Sequence, residues 1–170
     1  MQLQELSGLK IMFIKPDYNL KSIYEIDLNK LYQDGIKGIL FDLDSTLMAS
    51  KSGTYTDKTY SFIKNVKEKF FMAVVSNNKN PEYIKKVSEI SHFPVLFHAC
   101  KPKTGIVLQF LAKHNVNPKD CVLVGDRPLT DILCGKRLGC KTILVDSITA
   151  DSESKLVRFV RKLERLFIKK

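Results

Sequence analysis

Gly38-Ile39-Leu40-Phe41-Asp42-Leu43-Asp44-Ser45-Thr46 is the stretch on which the reading of this chain turns. Its first four residues form a short apolar run, the mark of a buried strand. Two acids two positions apart, where that strand should end, are costly to place in a core. They make sense if the strand delivers them to a site where charge is wanted. In an extended segment the side chains at i and i+2 lie on one side, so Asp42 and Asp44 can serve one target.

Outward from this stretch, strand and helix signals alternate. Upstream, Asp27 is suited to cap a short helix that Gly35 ends. Downstream, Thr56 or Asp57 opens a helix with Tyr60, Ile63, Val66 and Phe70 on one face. Phe71 to Val75 reads as a second strand, and Pro81 starts a helix that runs to about Ser91. Pro94 to Phe97 reads as a third strand. Ile106, Val107, Phe110 and Leu111 then recur at helical spacing within 104–115. Cys121 to Val124 is a fourth strand, 129–138 a helix and Thr142 to Val145 a fifth strand. Short apolar strands alternating with helices predict a three-layer α/β fold around a central parallel five-stranded sheet. No linker or internal repeat interrupts the pattern, so residues 1–170 are expected as a single domain.

In such sheets ligands gather beyond the carboxyl ends of the strands. The first strand end carries Asp42, Asp44, Ser45 and Thr46, and the second carries Ser76-Asn77-Asn78. The third carries Ala99-Cys100-Lys101-Pro102-Lys103, and the fourth Gly125-Asp126, with Asp131 five residues on. Each segment alone has an ordinary reading as a turn or a solvated side chain. Together, an acid pair, a hydroxyl with amides, a lysine and a further acid suit a phosphate held beside a divalent cation.

In order, these four segments resemble the motifs of the haloacid dehalogenase-like (HAD) phosphohydrolases, over about residues 37–146. The flanks are similar to the YqeG-like branch, subclass IIIA, related to the phosphatidylglycerophosphate phosphatases of mitochondria and plastids. They are Lys15-Pro16-Asp17, Ser22-Ile23-Tyr24, Gly35-Ile36-Lys37-Gly38, Leu129-Thr130-Asp131-Ile132, and Arg137-Leu138-Gly139 followed by Thr142-Ile143-Leu144-Val145. Ser45 departs from the Asn usual in that branch, while both acids and Thr46 are kept.

The resemblance implies a HAD-like (Rossmann-like) fold and a Mg²⁺-dependent phosphomonoesterase working through an aspartyl-phosphate. Asp42 would be the nucleophile and the Asp44 side chain the acid–base. Asp42, the Asp44 backbone carbonyl and Asp126 would hold Mg²⁺. Ser76 and Asn77 would bind phosphoryl oxygens. Lys101, which directly precedes Pro102, would neutralise their charge, with Lys103 a competitor for that role. Thr46 and Asp131 would support the site, Asp131 through a water on the metal or by orienting Lys101. The implied substrate is phosphatidylglycerophosphate. The rivals are a soluble sugar phosphate, a nucleotide or a nucleic-acid end, and, in another class, a nucleic-acid-binding or assembly module on a HAD scaffold.

Room for a lid is lacking. Only 29 residues lie between Thr46 and Ser76, and 23 between Asn77 and Lys101, and each interval must already hold a helix and a strand. A capless, open site is expected, which suits a phosphate presented by something large.

The chain carries a net charge of +10, with 44% hydrophobic and 27% charged residues. Such a balance favours anionic partners. Lysines and arginines interleaved with aromatic residues as a stacking surface are not seen, which ranks nucleic acid low. No apolar run approaches the roughly 20 residues of a bilayer span, and the N-terminus has no secretory pattern, so a cytoplasmic location is expected. Cys100, Cys121, Cys134 and Cys140 include no Cys-x-x-Cys pair and read as reduced thiols, and His92, His98 and His114 lack metal-ligand spacing. Residues 153–170 carry seven bases against two acids. A helix at about 152–168 would gather Leu156, Phe159, Val160, Leu163, Leu166 and Phe167 on one side, and Lys155, Arg158, Arg161, Lys162, Arg165 and Lys169 opposite. Packing of that apolar side on the core is the leading expectation. Peripheral contact with anionic phospholipid at the inner face of the membrane is the second, with residues 9–14 as another candidate patch.

Overall fold

The computed structural model describes residues 14–148 and 155–166. Strand β1 (Tyr18–Leu20) is followed by α1 (Leu28–Gln33), β2 (Gly38–Phe41), α2 (Asp57–Lys67), β3 (Phe71–Val75) and α3 (Pro81–Ile90). Then come β4 (Val95–Leu96), α4 (Gly105–Lys113), β5 (Cys121–Gly125), α5 (Leu133–Leu138), β6 (Lys141–Val145) and α6 (Lys155–Leu166). All strand pairs are parallel, in the order β1-β6-β5-β2-β3-β4.

The sheet therefore has six strands rather than the expected five. The addition is β1, whose three half-exposed or exposed residues carry no apolar run to announce a strand. It forms because Asp17 grips β6: its Oδ2 accepts from the Thr142 N–H at 2.7 Å, the Thr142 hydroxyl at 2.8 Å and Lys136 Nζ at 2.6 Å. Tyr18 then pairs with Ile143 and Leu20 with Val145.

Alternation along β2 sets the three layers, since successive side chains in a strand face opposite ways. Ile39 and Phe41 pack with Phe62, Ile63 and Val66 of α2 and Val87 of α3. Leu40 packs on the other side with Val107 and Leu111 of α4 and Cys134 and Leu138 of α5. The buried face of α2 is Thr59, Phe62, Ile63 and Val66. Tyr60, grouped with the inward residues by its spacing, is instead largely exposed, its ring edge-on to Tyr55.

Helix starts are capped as their residues dictate. Asp27, Thr56 and Asn80 accept from the amides of Lys30, Thr59 and Tyr83, each supplying a partner that a helix N-terminus lacks. Gly35 leaves α1 at φ +80°, a conformation costly for a residue with a Cβ. The 129–138 region divides into a π-helical turn, Pro128–Ile132, and α5.

Of the expected tail helix, Lys155–Leu166 lies within the described residues. Its packing departs from the leading expectation. Phe159 and Leu166 are 58% and 68% exposed, and Val160 and Leu163 also face solvent. The helix is held by its charged side. Glu164 is buried against Arg127, and Arg165 Nη2 reaches Asp146 Oδ1 at 2.5 Å. The pairing of Glu164 with the Arg127 guanidinium offsets the cost of burying that carboxylate. Of the patch at 9–14, only Ile14 lies within the described residues, and it is buried.

Candidate active site

Central β2 lies between β3 and β5, with Phe41 in register with Val74 on one side and Val124 on the other. The segments that follow these three strands therefore emerge at one rim, beside a switch in strand order, where parallel sheets bind ligands. The Asp42 amide extends the ladder by donating to Val124 O at 2.8 Å.

Three carboxylates meet there. Asp42, Asp126 and Asp131 can each offer an oxygen within 4.8 Å of the others. Asp131 reaches the rim because residue 125 is glycine. A Cβ on Gly125 would stand 2.4 Å from the Asp131 side chain, so the absence of that atom makes space for the carboxylate. Asp131 Oδ2 accepts from the Arg127 amide at 3.0 Å, and Thr46 Oγ1 donates to Asp126 Oδ1 at 3.2 Å.

Lys101 closes the group. Its buried ammonium lies 2.7 Å from Asp42 Oδ1 and 2.7 Å from Asp131 Oδ1. Burial alone would lower its pKa, but the two carboxylates reverse that and raise it, so the side chain is a cation. Burial pushes the Asp42 carboxyl up, to about 6, against the pull of Lys101, and the neighbouring Asp131 and Asp44 charges add to the rise. Lys103, the alternative lysine, is exposed.

Asn77 orients Lys101 rather than pointing its amide into the rim. It donates from Nδ2 to Lys101 O at 2.9 Å and accepts at Oδ1 from Lys101 N at 2.7 Å. Ser76 is buried, with its hydroxyl oxygen accepting from the Asn78 amide at 3.1 Å. Ser45 has φ +67°, the left-handed region that Asn tolerates better than most side chains.

Asp44 projects from the tight loop after β2. Its Oδ1 accepts from the Lys51 amide at 2.8 Å and from the Tyr83 hydroxyl at 2.7 Å, and its Oδ2 faces Asn78 Nδ2 at 3.3 Å. Burial, and next the Asp44 carboxylate, push the Tyr83 phenol far up, so it stays a donor. Tyr83 was not legible as a site residue, because its position is set by the first turn of α3 and not by a strand end. Asn78 lay in a motif already noted, without a role. Arg127 and its partner Glu164 meet only through the docking of α6.

No domain is inserted at the rim. Residues 42–56 and 76–80, all described, form the connections from β2 to α2 and from β3 to α3.

Residues 8–149 match a family model described as mitochondrial PGP phosphatase. The chain belongs to this family. It is a phosphatase with the HAD-like α/β fold. A probable phosphatase of Bacillus subtilis, YqeG, is 33% identical over 153 residues, covering 90% of this chain and 88% of the relative. The Arabidopsis thaliana phosphatidylglycerophosphate phosphatase 1, chloroplastic/mitochondrial, is 31% identical over 167 residues. That match takes in 93% of the PGP phosphatase family chain described here but only 48% of the plant protein, so the chain spans about half the plant relative's length. Among solved structures, a HAD phosphatase from Thermococcus onnurineus superposes with a TM-score of 0.57 at 13% identity, over 65% of this chain and 86% of that one. A HAD family enzyme from Bacteroides thetaiotaomicron, crystallised with magnesium and inorganic phosphate, gives 0.50 at 15% identity, over 74% and 100%. These two similarities support the fold of this family member. No described helix is long and apolar enough to cross a membrane.

Proposed function

We propose that this phosphatase is a Mg²⁺-dependent phosphomonoesterase that converts phosphatidylglycerophosphate to phosphatidylglycerol. The observation that carries the chemistry is the meeting of Asp42, Asp126 and Asp131 within 4.8 Å, with the Lys101 ammonium against two of them. The oxygen-only donor set fits Mg²⁺, which takes hard oxygen ligands and keeps several waters. Asp42, Asp126 and the Asp44 backbone carbonyl would hold it, and bound there it would neutralise phosphate charge. Asp131 has both oxygens engaged, by Lys101 and the Arg127 amide, which favours its role in orienting Lys101.

Asp42 Oδ attacks phosphorus as the bond to the leaving oxygen breaks, giving an aspartyl-phosphate. Asp44 gives its proton to the leaving oxygen, then takes one from the water that attacks the aspartyl-phosphate and frees Asp42. Lys101 faces the charge that spreads over the phosphoryl oxygens. With the Asn77 side chain committed to the Lys101 backbone, Ser76 is the better placed of the two to meet phosphate.

The lipid assignment draws on the family and on the named plant relative. Two features agree with it: a rim without an inserted domain, and exposed apolar residues on α6 in a segment rich in lysine and arginine. Peripheral contact with the cytoplasmic face of a membrane follows from the same reading. Purified protein should release phosphate from phosphatidylglycerophosphate only when Mg²⁺ is present, and Asp42→Asn should reduce release to background. Rapid turnover of a soluble sugar phosphate or nucleotide with none of the lipid would overturn the substrate.

A further inference from the structure

Asp44 has to be a proton donor in one half of the proposed reaction and an acceptor in the other, so its carboxyl group must keep its place through both. The loop that carries it is tied through its neighbours, by Ser45 N to Met48 O at 2.8 Å, Ile148 N to Ser45 O at 3.0 Å and Thr46 Oγ1 to Asp126 Oδ1 at 3.2 Å, none of which touches the Asp44 carboxylate. One of its donors, the Lys51 amide, belongs to the same exposed loop. Tyr83 is different. It sits in the first turn of α3, where the Asn80 side chain caps its amide at 3.0 Å, and its ring packs against the core cluster beneath α2 and α3. From that fixed base its hydroxyl reaches 39 positions along the chain to Asp44 Oδ1 at 2.7 Å, and lies 3.3 Å from Met48 Sδ.

We infer that Tyr83 is a positioning residue that holds the Asp44 carboxyl group at the leaving-group side of the site. This rests on Asp44 being the acid–base group. The phenol touches neither phosphate nor metal ligand atoms in this account. It supplies a rigid hydrogen bond, in line with the rule that a catalytic group is effective only within hydrogen-bond reach of the proton it moves.

The role has a signature that general loosening of the fold lacks. When the P–O bond breaks, the electron pair stays on the leaving oxygen, and the proton from Asp44 converts it to a neutral alcohol or phenol. A p-nitrophenolate leaves without that proton, whereas an unsubstituted phenolate needs it. Phenyl phosphate and p-nitrophenyl phosphate have nearly the same shape, so their ratio of kcat/KM reads proton delivery and cancels the fraction of active protein in a preparation.

General acid–base catalysis contributes roughly 10²–10⁴-fold, so a misplaced acid in Tyr83→Phe is expected to cost about 10-fold on phenyl phosphate and under about 2-fold on p-nitrophenyl phosphate. Asp44→Asn should change the ratio in the same direction and further. Equal losses on both substrates in Tyr83→Phe, or no loss on either, would overturn the inference while leaving Asp44 in its role. An unchanged ratio in Asp44→Asn would remove the acid–base reading itself, and the Tyr83 inference with it.

Discussion

Lys101 shows how much one residue depends on what its neighbours do. In sequence it is one lysine before a proline, with another two positions on. In the fold it is buried between Asp42 and Asp131, and its backbone is clamped on both polar atoms by Asn77. Removing one partner from a buried charge group leaves the remainder uncompensated, which typically costs about 3–5 kcal/mol. Lys101→Met should therefore lower stability by about that amount in urea unfolding with a chelator present, and phosphate release should fall to near background. Lys103→Met, at an exposed position, should leave both unchanged. A reversal of the two outcomes would move the catalytic role to Lys103. The acids were legible because strand ends in a parallel sheet are where charge is useful. Tyr83 was not, because nothing in its neighbourhood along the chain distinguishes it from a helix residue packed on a core.

At the scale of elements, the strands with apolar runs were readable, edge strand β4 among them, and edge strand β1 was not. β2, β3, β5 and β6 carry continuous apolar runs, because both faces of a central parallel strand are covered. β1 lies at the edge and is defined by one carboxylate. Burial alone would raise the Asp17 pKa, but hydrogen bonds from Lys136 and Thr142 prevail and hold it below its ordinary value of 3.8. A depressed carboxyl pKa means that the folded state binds its proton less readily than the unfolded chain. The stabilisation is thus complete above about pH 4 and is lost as pH falls through the lowered value. Asp17 is exposed, so solvent screens its charged hydrogen bonds, and Asp17→Asn should cost about 0.5–1.5 kcal/mol near neutrality. The gap between variant and parent urea midpoints should close on acidification below pH about 4. A gap that stays constant with pH would mean that the Asp17 charge does not hold β1.

Over the whole molecule, the amphipathic pattern of residues 153–170 predicts a helix, and Lys155–Leu166 form one among the described residues, but the pattern does not say which side meets the domain. Core packing was the leading expectation, yet among described residues Glu164 and Arg165 make the contacts and Phe159, Val160, Leu163 and Leu166 face outward. With the lipid substrate proposed above, that ridge is available to a bilayer, and each nearby base adds about 1 kcal/mol of attraction to an anionic surface. Phe159→Asp with Leu166→Asp should reduce sedimentation with phosphatidylglycerol vesicles and leave turnover of p-nitrophenyl phosphate intact. Stability should stay within about 0.5 kcal/mol, as for other exposed substitutions. Unaltered vesicle binding would show that α6 is not the lipid-facing element.

The chain order of apolar runs and strand-end acids was enough to determine a parallel α/β sheet and the rim where those acids gather, because burial and alternation are local properties written into residue type. Tertiary structure alone decided the sixth strand, the burial of Lys101 between two carboxylates while Lys103 stays exposed, the Tyr83–Asp44 contact and the outward ridge of α6. Each of these depends on which distant charges and hydroxyls meet at about 3 Å, a separation set by the three-dimensional packing of elements far apart in the chain.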